Sequence, residues 1–126
     1  MSHAGIPKPV VLVVEDETLI RLHAMEMIRA SGFEVVEAAN ADEAVAILEA
    51  RADVVAIFTD IQMPGSMDGL KLAQAVRDRW PPIKILAASG NVTLSRNDLP
   101  SGGQFLQKPY THRQVKRALH DLMAAA

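Results

Sequence analysis

The chain has 126 residues, 49% of them hydrophobic and 22% charged, with a net charge of −2 and no cysteine. This is the size and composition of one globular domain, able to bury about 65–68% of the surface its unfolded chain exposes. The mild acidic balance argues against a nucleic-acid or anionic-membrane surface, the lack of cysteine excludes disulfides and thiolate metal sites, and no run approaches the ~18 apolar residues of a membrane span.

A soluble, cytoplasmic protein is therefore expected. The start, "MSHAGIPKP", has no apolar stretch after a charged beginning and is not a secretion signal. Residues 1–9 are expected to be a disordered lead and residues 10–124 the domain. "VVLVV" from Val10 is a continuous β-branched run, as in a strand buried on both faces. Residues 17–31 then place Ile20, Ala24, Met27 and Ile28 on one helical face, with Gly32 as the stop. "FEVVEA" from Phe33 is the second strand, and "NADEAVAILEAR" the second helix, opened by Asn40 with Glu43 three residues on. "VVAIFT" from Val54 is the third strand, and "DGLKLAQAVRDRW" a helix capped by Asp68 and stopped before Pro81 and Pro82, with Trp80 packing at its end. "IKILAA" from Ile83 and "QFLQ" from Gln104 supply two more strands. "THRQVKRALHDLM" repeats the capping pattern with Thr111 and Gln114. Strand and helix alternate five times, which predicts an α/β fold: a (βα)5 doubly wound, five-stranded parallel sheet in one domain.

Ligands of such sheets sit beyond the carboxyl ends of the strands. The first strand ends in Glu15 and Asp16, the third in Asp60, the fourth in Ser89, and the fifth runs into Lys108 and Pro109. Asp60 alone could be a turn cap. Beside the other strand-end groups it reads instead as part of a site. Neighbouring acids repel one another, and the usual relief is a raised pKa or a bound cation. An all-oxygen set with room for waters and a phosphoryl oxygen suits Mg²⁺ better than Ca²⁺. An Asp nucleophile, a metal, a Lys and a hydroxyl are the parts of phosphoryl-transfer chemistry, with an aspartyl phosphate as product.

The segments "VVEDE", "TDIQMPGSMDG", "AASG" and "FLQKPY", in this order and at these strand ends, resemble the receiver domain of bacterial response regulators (CheY-like, flavodoxin-like), from about Val10 to Leu122. The resemblance implies that Asp60 is the phosphoacceptor. It makes Asp16 a direct Mg²⁺ ligand, Glu15 a helper through water, and the main-chain carbonyl of Gln62 the third protein ligand. It places Ser89 and Lys108 against the phosphoryl group, Phe105 at the aromatic switch position, and a cis peptide before Pro109. It also implies a histidine kinase or histidine phosphotransfer protein as donor and a downstream protein as target, with no enzyme activity beyond the protein's own phosphorylation and dephosphorylation. The chain ends about a dozen residues after Thr111, so a stand-alone regulator without an output domain is expected.

Two departures from the family pattern stand out. "MPGSMDG" carries one residue more than the usual loop, and the interval from Ser89 to Lys108, with Asn, Pro and a Gly pair, is too short and broken for a regular fourth helix. Two other functions would leave different marks in the sequence. A pseudo-receiver would lack the acid pair, the Asp or the Lys. A Mg²⁺-dependent phosphohydrolase with an aspartyl nucleophile would carry a second Asp two residues after the first, where this chain has Gln62. Gln62 and Asn91 flank the site and are candidates for setting the rate of water attack. On the first helix, Thr18, Leu22 and Met25 share a face apart from the core stripe. Leu22 and Met25 are therefore expected to be exposed and to dock the kinase.

Overall fold

The computed structural model describes residues 8–63, 67–91 and 93–125. Residues 1–7, on which most of the expected lead falls, and residues 64–66, within the loop expected to carry an extra residue, lie outside the described residues. Strands β1 (Val10–Val14), β2 (Glu34–Ala38), β3 (Val54–Asp60), β4 (Lys84–Ser89) and β5 (Gln104–Gln107) pair in parallel in the order β2-β1-β3-β4-β5. Helices α1 (Thr18–Ala30), α2 (Ala41–Ala50), α3 (Gly69–Arg79) and α4 (His112–Ala124) connect them.

Successive strand residues point to opposite faces of the sheet. Leu12, Val14, Ile57 and Ile85 accordingly pack against Ala44 and Leu48 of α2 and Leu72 and Val76 of α3. Val11, Val13, Phe58 and Leu86 pack against Ala24 and Ile28 of α1 and Val115 and Leu119 of α4. Both faces of β1, β3 and β4 are covered, which is why these strands read as unbroken apolar runs. Each such Leu or Ile, at or near zero exposure, contributes about 1.5–3 kcal/mol.

The helix starts follow the expected chemistry. Asn40 Oδ1 accepts from the Glu43 amide at 2.9 Å, and Asp68 Oδ1 accepts from the Lys71 amide at 2.9 Å. Thr111 and Gln114 form a reciprocal box at 3.1 and 2.8 Å. Gly32, at φ +102°, ends α1 as only a residue without Cβ does at low cost.

Where a fourth regular helix would lie, the chain forms only a 3₁₀ turn at Arg96–Asp98. Ser95 and Asp98 cap it reciprocally, but Pro100 and Gly102, at φ +88°, follow too soon for the helix to propagate. The expectation of a broken fourth helix is met. Leu99 anchors this segment in the core, and Arg77 of α3 donates from a guanidinium nitrogen to the Ser101 carbonyl. Among the described residues, no helix is long and apolar enough to cross a membrane.

Candidate functional site: an acidic cluster at the strand ends

The sheet order reverses between β1 and β3, and the loops diverging there open a crevice at the carboxyl ends. Asp60 closes β3, while Glu15 and Asp16 follow β1. One carboxylate oxygen from each lies within 4.8 Å of the other two. Glu15 and Asp60 are buried, and Asp16 is exposed. Lys108, just past β5, reaches across with Nζ 3.0 Å from Asp60 Oδ1 and 3.4 Å from Glu15 Oε1. The Lys108 amide donates to the Ser89 carbonyl at 2.9 Å, which ties the ends of β4 and β5 together, and the Lys108–Pro109 bond is cis as expected. Ser89 is fully buried, and its Oγ accepts from the Asn91 amide at 3.0 Å.

Burial is the main influence on each charge. It raises the Asp60 pKa, with the neighbouring Asp16 adding to the rise, while the Lys108 ammonium and the Gln62 amide pull it back. Glu15 is raised by burial and by Asp60, against the Glu17 amide and Lys108. For Lys108, burial works against the charged form, but its hydrogen bond to Asp60 and the charges of Asp60 and Glu15 together outweigh it and raise the pKa. Three acids thus meet one ammonium in a partly dry rim. A hard divalent cation with oxygen ligands fits this donor set and would offset the surplus negative charge.

Several supporting residues were not singled out from the sequence. Gly69 lets α3 pass against the end of β3: a Cβ there would lie 2.2 Å from the Asp60 carbonyl oxygen and 2.6 Å from Ile61 Cα. Its amide donates to the Ile61 carbonyl at 2.8 Å. The "DG" pair carried that signal, but only its Asp was read, as a cap. Thr59 Oγ1 donates to the Asp60 carbonyl at 2.9 Å. Tyr110 packs edge-on against Phe58, with ring centroids 5.5 Å apart. With Glu15, Asp60 and Lys108 it lines a void of about 10 Å³, room for one water.

The other expected residues divide. Gln62 is exposed beside the cluster. Phe105 is half-buried against the core shared with α2 and α3, paired across the sheet with Ala87. Leu22 is exposed, at 48%, as expected. Met25 is not: at 4% exposure it belongs to the core beneath α1 and cannot join Leu22 on a free face. The buried face of α1 is Ala24, Met25, Met27 and Ile28, with Ile20, expected in the core, only half-buried at its edge; the face is turned toward Met25 because the helix packs on α4 as well as on the sheet. Leu19, at 81%, is the large apolar side chain that α1 exposes with Leu22.

A family model described as the response regulator receiver domain matches residues 11–120. This chain belongs to that family. The receiver is 33% identical over 118 residues to the sensor kinase CckA of Brucella abortus, covering 90% of this chain and 12% of CckA. It is 35% identical over 113 residues to the transcriptional regulatory protein PdtaR of Mycobacterium tuberculosis, covering 87% of this chain and 54% of PdtaR. This chain spans only part of the curated relatives it matches. Among solved structures, the receiver domain of NtrX from Brucella abortus superposes with a TM-score of 0.83 at 28% identity, covering 92% of this chain and 99% of that one. The response regulator TrrA of Thermotoga maritima, solved in complex with Mg²⁺ and BeF, gives 0.80 at 28% identity, covering 90% and 97%. The receiver is thus a signalling domain of the two-component type, and its acidic cluster fits the Mg²⁺ site of that family.

Proposed function

We propose that Asp60 accepts a phosphoryl group from the phosphohistidine of a histidine kinase or a histidine phosphotransfer protein, and that this receiver signals by protein–protein contact. The observation that carries the reading is the Lys108 ammonium 3.0 Å from Asp60 Oδ1, in a rim shared with Glu15 and Asp16. In the transfer, a carboxylate oxygen of Asp60 forms the new O–P bond as the N–P bond of the donor imidazole breaks, and the departing imidazole nitrogen takes up a proton. Hydrolysis reverses the state, giving inorganic phosphate and the free carboxylate.

The carboxylates of Asp16 and Asp60 and the main-chain carbonyl of Gln62 would hold Mg²⁺, with Glu15 acting through water. When bound it supplies positive charge against the oxygens of the transferred group. Lys108 holds those oxygens from the other side, and Ser89 Oγ donates to one of them. Ser89 Oγ also accepts from the Asn91 amide, so a movement of the hydroxyl toward a phosphoryl oxygen would pull on that amide, which offers a route from the phosphoryl group into the segment from Asn91 to Gln104 and to Phe105. Gln62 and Asn91 line one open pocket beside the site, which supports a role for them in setting the rate of water attack. The exposed Leu22 of α1, with the open cleft of about 400 Å³ lined by Ile20, His23, Lys108, Pro109 and Tyr110, suits docking of the donor.

Acetyl phosphate with Mg²⁺ tests the central assignment. It should add one phosphate, labile to hydroxylamine as an acyl phosphate is, and Asp60→Asn should abolish the addition. Labelling of Asp60→Asn at the wild-type rate would overturn the reading.

A further inference from the structure

The acid pair is presented by a short turn between β1 and α1, and that turn has little of its own to hold it. Glu17 is the N-cap of α1 but makes no side-chain capping bond, and the first turn of the helix holds no acid. Helices usually satisfy their first amides by such a cap. Here the restraint comes from one side chain further along. Arg21, in the second turn of α1, donates from Nη1 to the Glu15 carbonyl at 2.8 Å and from Nε to Glu37 Oε1 on β2 at 2.8 Å. Its side chain is only 13% exposed. The Glu15 amide is in turn bound to the Ala38 carbonyl at 3.1 Å, and Oε2 accepts from the Glu17 amide at 3.2 Å. Arg21 therefore cross-links α1, the end of β1 and β2 at the residue next to Asp16.

The contact of Arg21 with this site runs through the main chain of Glu15, not through a carboxylate of the cluster. We infer that Arg21 is a positioning residue that fixes the β1–α1 turn so that Glu15 and Asp16 face Asp60 at cation-binding distance. The two acceptors are served by different nitrogens of one rigid guanidinium, Nη1 and Nε, a spacing that a single ammonium does not reproduce, so Lys at this position keeps one partner and loses the cross-link.

This inference rests on the proposed cation site, and the experiment separates the two. Mg²⁺ affinity is measured by isothermal titration for the full chain, for Arg21→Ala and Arg21→Lys, and for Arg79→Ala, which removes the 2.7 Å ion pair between Arg79 of α3 and Glu49 of α2. Arg21→Ala and Arg21→Lys should each weaken binding about 10-fold, as losing a group that orients a ligand does, while Arg79→Ala leaves it unchanged. Amide NMR shifts of Glu15, Asp16 and Glu17 in metal-free protein should move in both Arg21 variants and stay in place in Arg79→Ala. Mg²⁺ affinity within about twofold of wild type in Arg21→Ala would overturn the inference. If the wild type binds no Mg²⁺, the cation reading fails. The metal-free shifts then decide the role of Arg21 alone: unmoved shifts at Glu15 and Asp16 refute it.

Discussion

Replacing Gly69 with Ala sets two effects of opposite sign against each other. Helix propensity favours Ala over Gly by about 1 kcal/mol in a helix interior, and by less in the first turn where Gly69 sits. Against this, the new Cβ would stand 2.2 Å from the Asp60 carbonyl oxygen, 2.6 Å from Ile61 Cα and 2.9 Å from the Asp60 carbonyl carbon. Ordinary carbon–oxygen approach begins near 3.3 Å, so main chain must retreat by about 1 Å, and no flexible side chain can yield instead. Such overpacking costs about 1–3 kcal/mol, and the contacts it displaces, Gly69 amide to Ile61 carbonyl and Thr59 hydroxyl to Asp60 carbonyl, are worth about 1 kcal/mol each. The steric side wins by about 2–4 kcal/mol. For a chain of 126 residues the unfolding entropy is about 0.26 kcal/mol per degree, so Tm should fall by about 8–15 °C. Thermal unfolding followed by far-ultraviolet circular dichroism measures this directly. Gly102→Ala is the control: its φ of +88° is costly for Ala, but nothing lies closer than Arg77 Nη2 at 3.8 Å, so only about 1–2 kcal/mol should be lost. A Tm for Gly69→Ala equal to or above wild type would refute the close approach of α3 to the end of β3.

Other outcomes follow from the site's charges and surfaces. Glu15 and Asp60 have pKa values raised above their ordinary 4.5 and 3.8, so the folded state binds their protons more tightly than the unfolded one. Their contribution to stability is full below those ordinary values and is lost as pH rises through the folded ones. Urea unfolding of metal-free Asp60→Asn should therefore show a smaller loss over that window, and a curve identical to wild type would refute the assignment. Asp16→Ala should weaken Mg²⁺ binding and block labelling by acetyl phosphate with little loss of fold, which unchanged affinity by titration would contradict. Lys108→Met should slow phosphorylation of Asp60 because burial then acts on two acids without their counter-ion; labelling at the wild-type rate would remove Lys108 from the chemistry. Leu22→Glu should slow transfer from a cognate kinase while sparing acetyl phosphate, and equal slowing with both donors would point to damage at the site instead.

The parts legible in the sequence are those set by local chemistry. Buried parallel strands show as runs such as "VVLVV", and caps at Asn40, Asp68 and Thr111 announce helix starts within a few residues. The acids and the lysine could be found because a parallel sheet must gather its strand ends at one rim. Pro100 and the Gly pair showed that the fourth helix would fail. Met25 was misassigned because a periodic stripe shows where a helix meets one neighbour, whereas α1 packs on both the sheet and α4. Arg21 was invisible for a related reason: a lone arginine on a helix reads as a solvated charge until Glu37 and the Glu15 carbonyl, distant along the chain or on another element, are brought to it. Gly69 was passed over beside the Asp68 cap, since nothing local reveals that the Asp60 carbonyl lies against its α-carbon.

Replacing a helix by the segment between Asn91 and Gly103 also changes what the domain can populate at rest. Among the described residues of that segment, Leu99 is the only large apolar side chain in the core, and most of the rest is exposed. Its hydrogen bonds lie near the surface, where water replaces them at small net cost. Releasing the segment therefore costs about the exposure of Leu99 and of the half-buried Leu94, about 2–4.5 kcal/mol, which corresponds to a detached form in roughly one molecule in thirty to one in two thousand. A regular helix with its own apolar stripe would make that form far rarer. Opening of the β4–β5 crossover thus lies within a few kcal/mol of the closed form, and a partner that binds the open form need supply only that much.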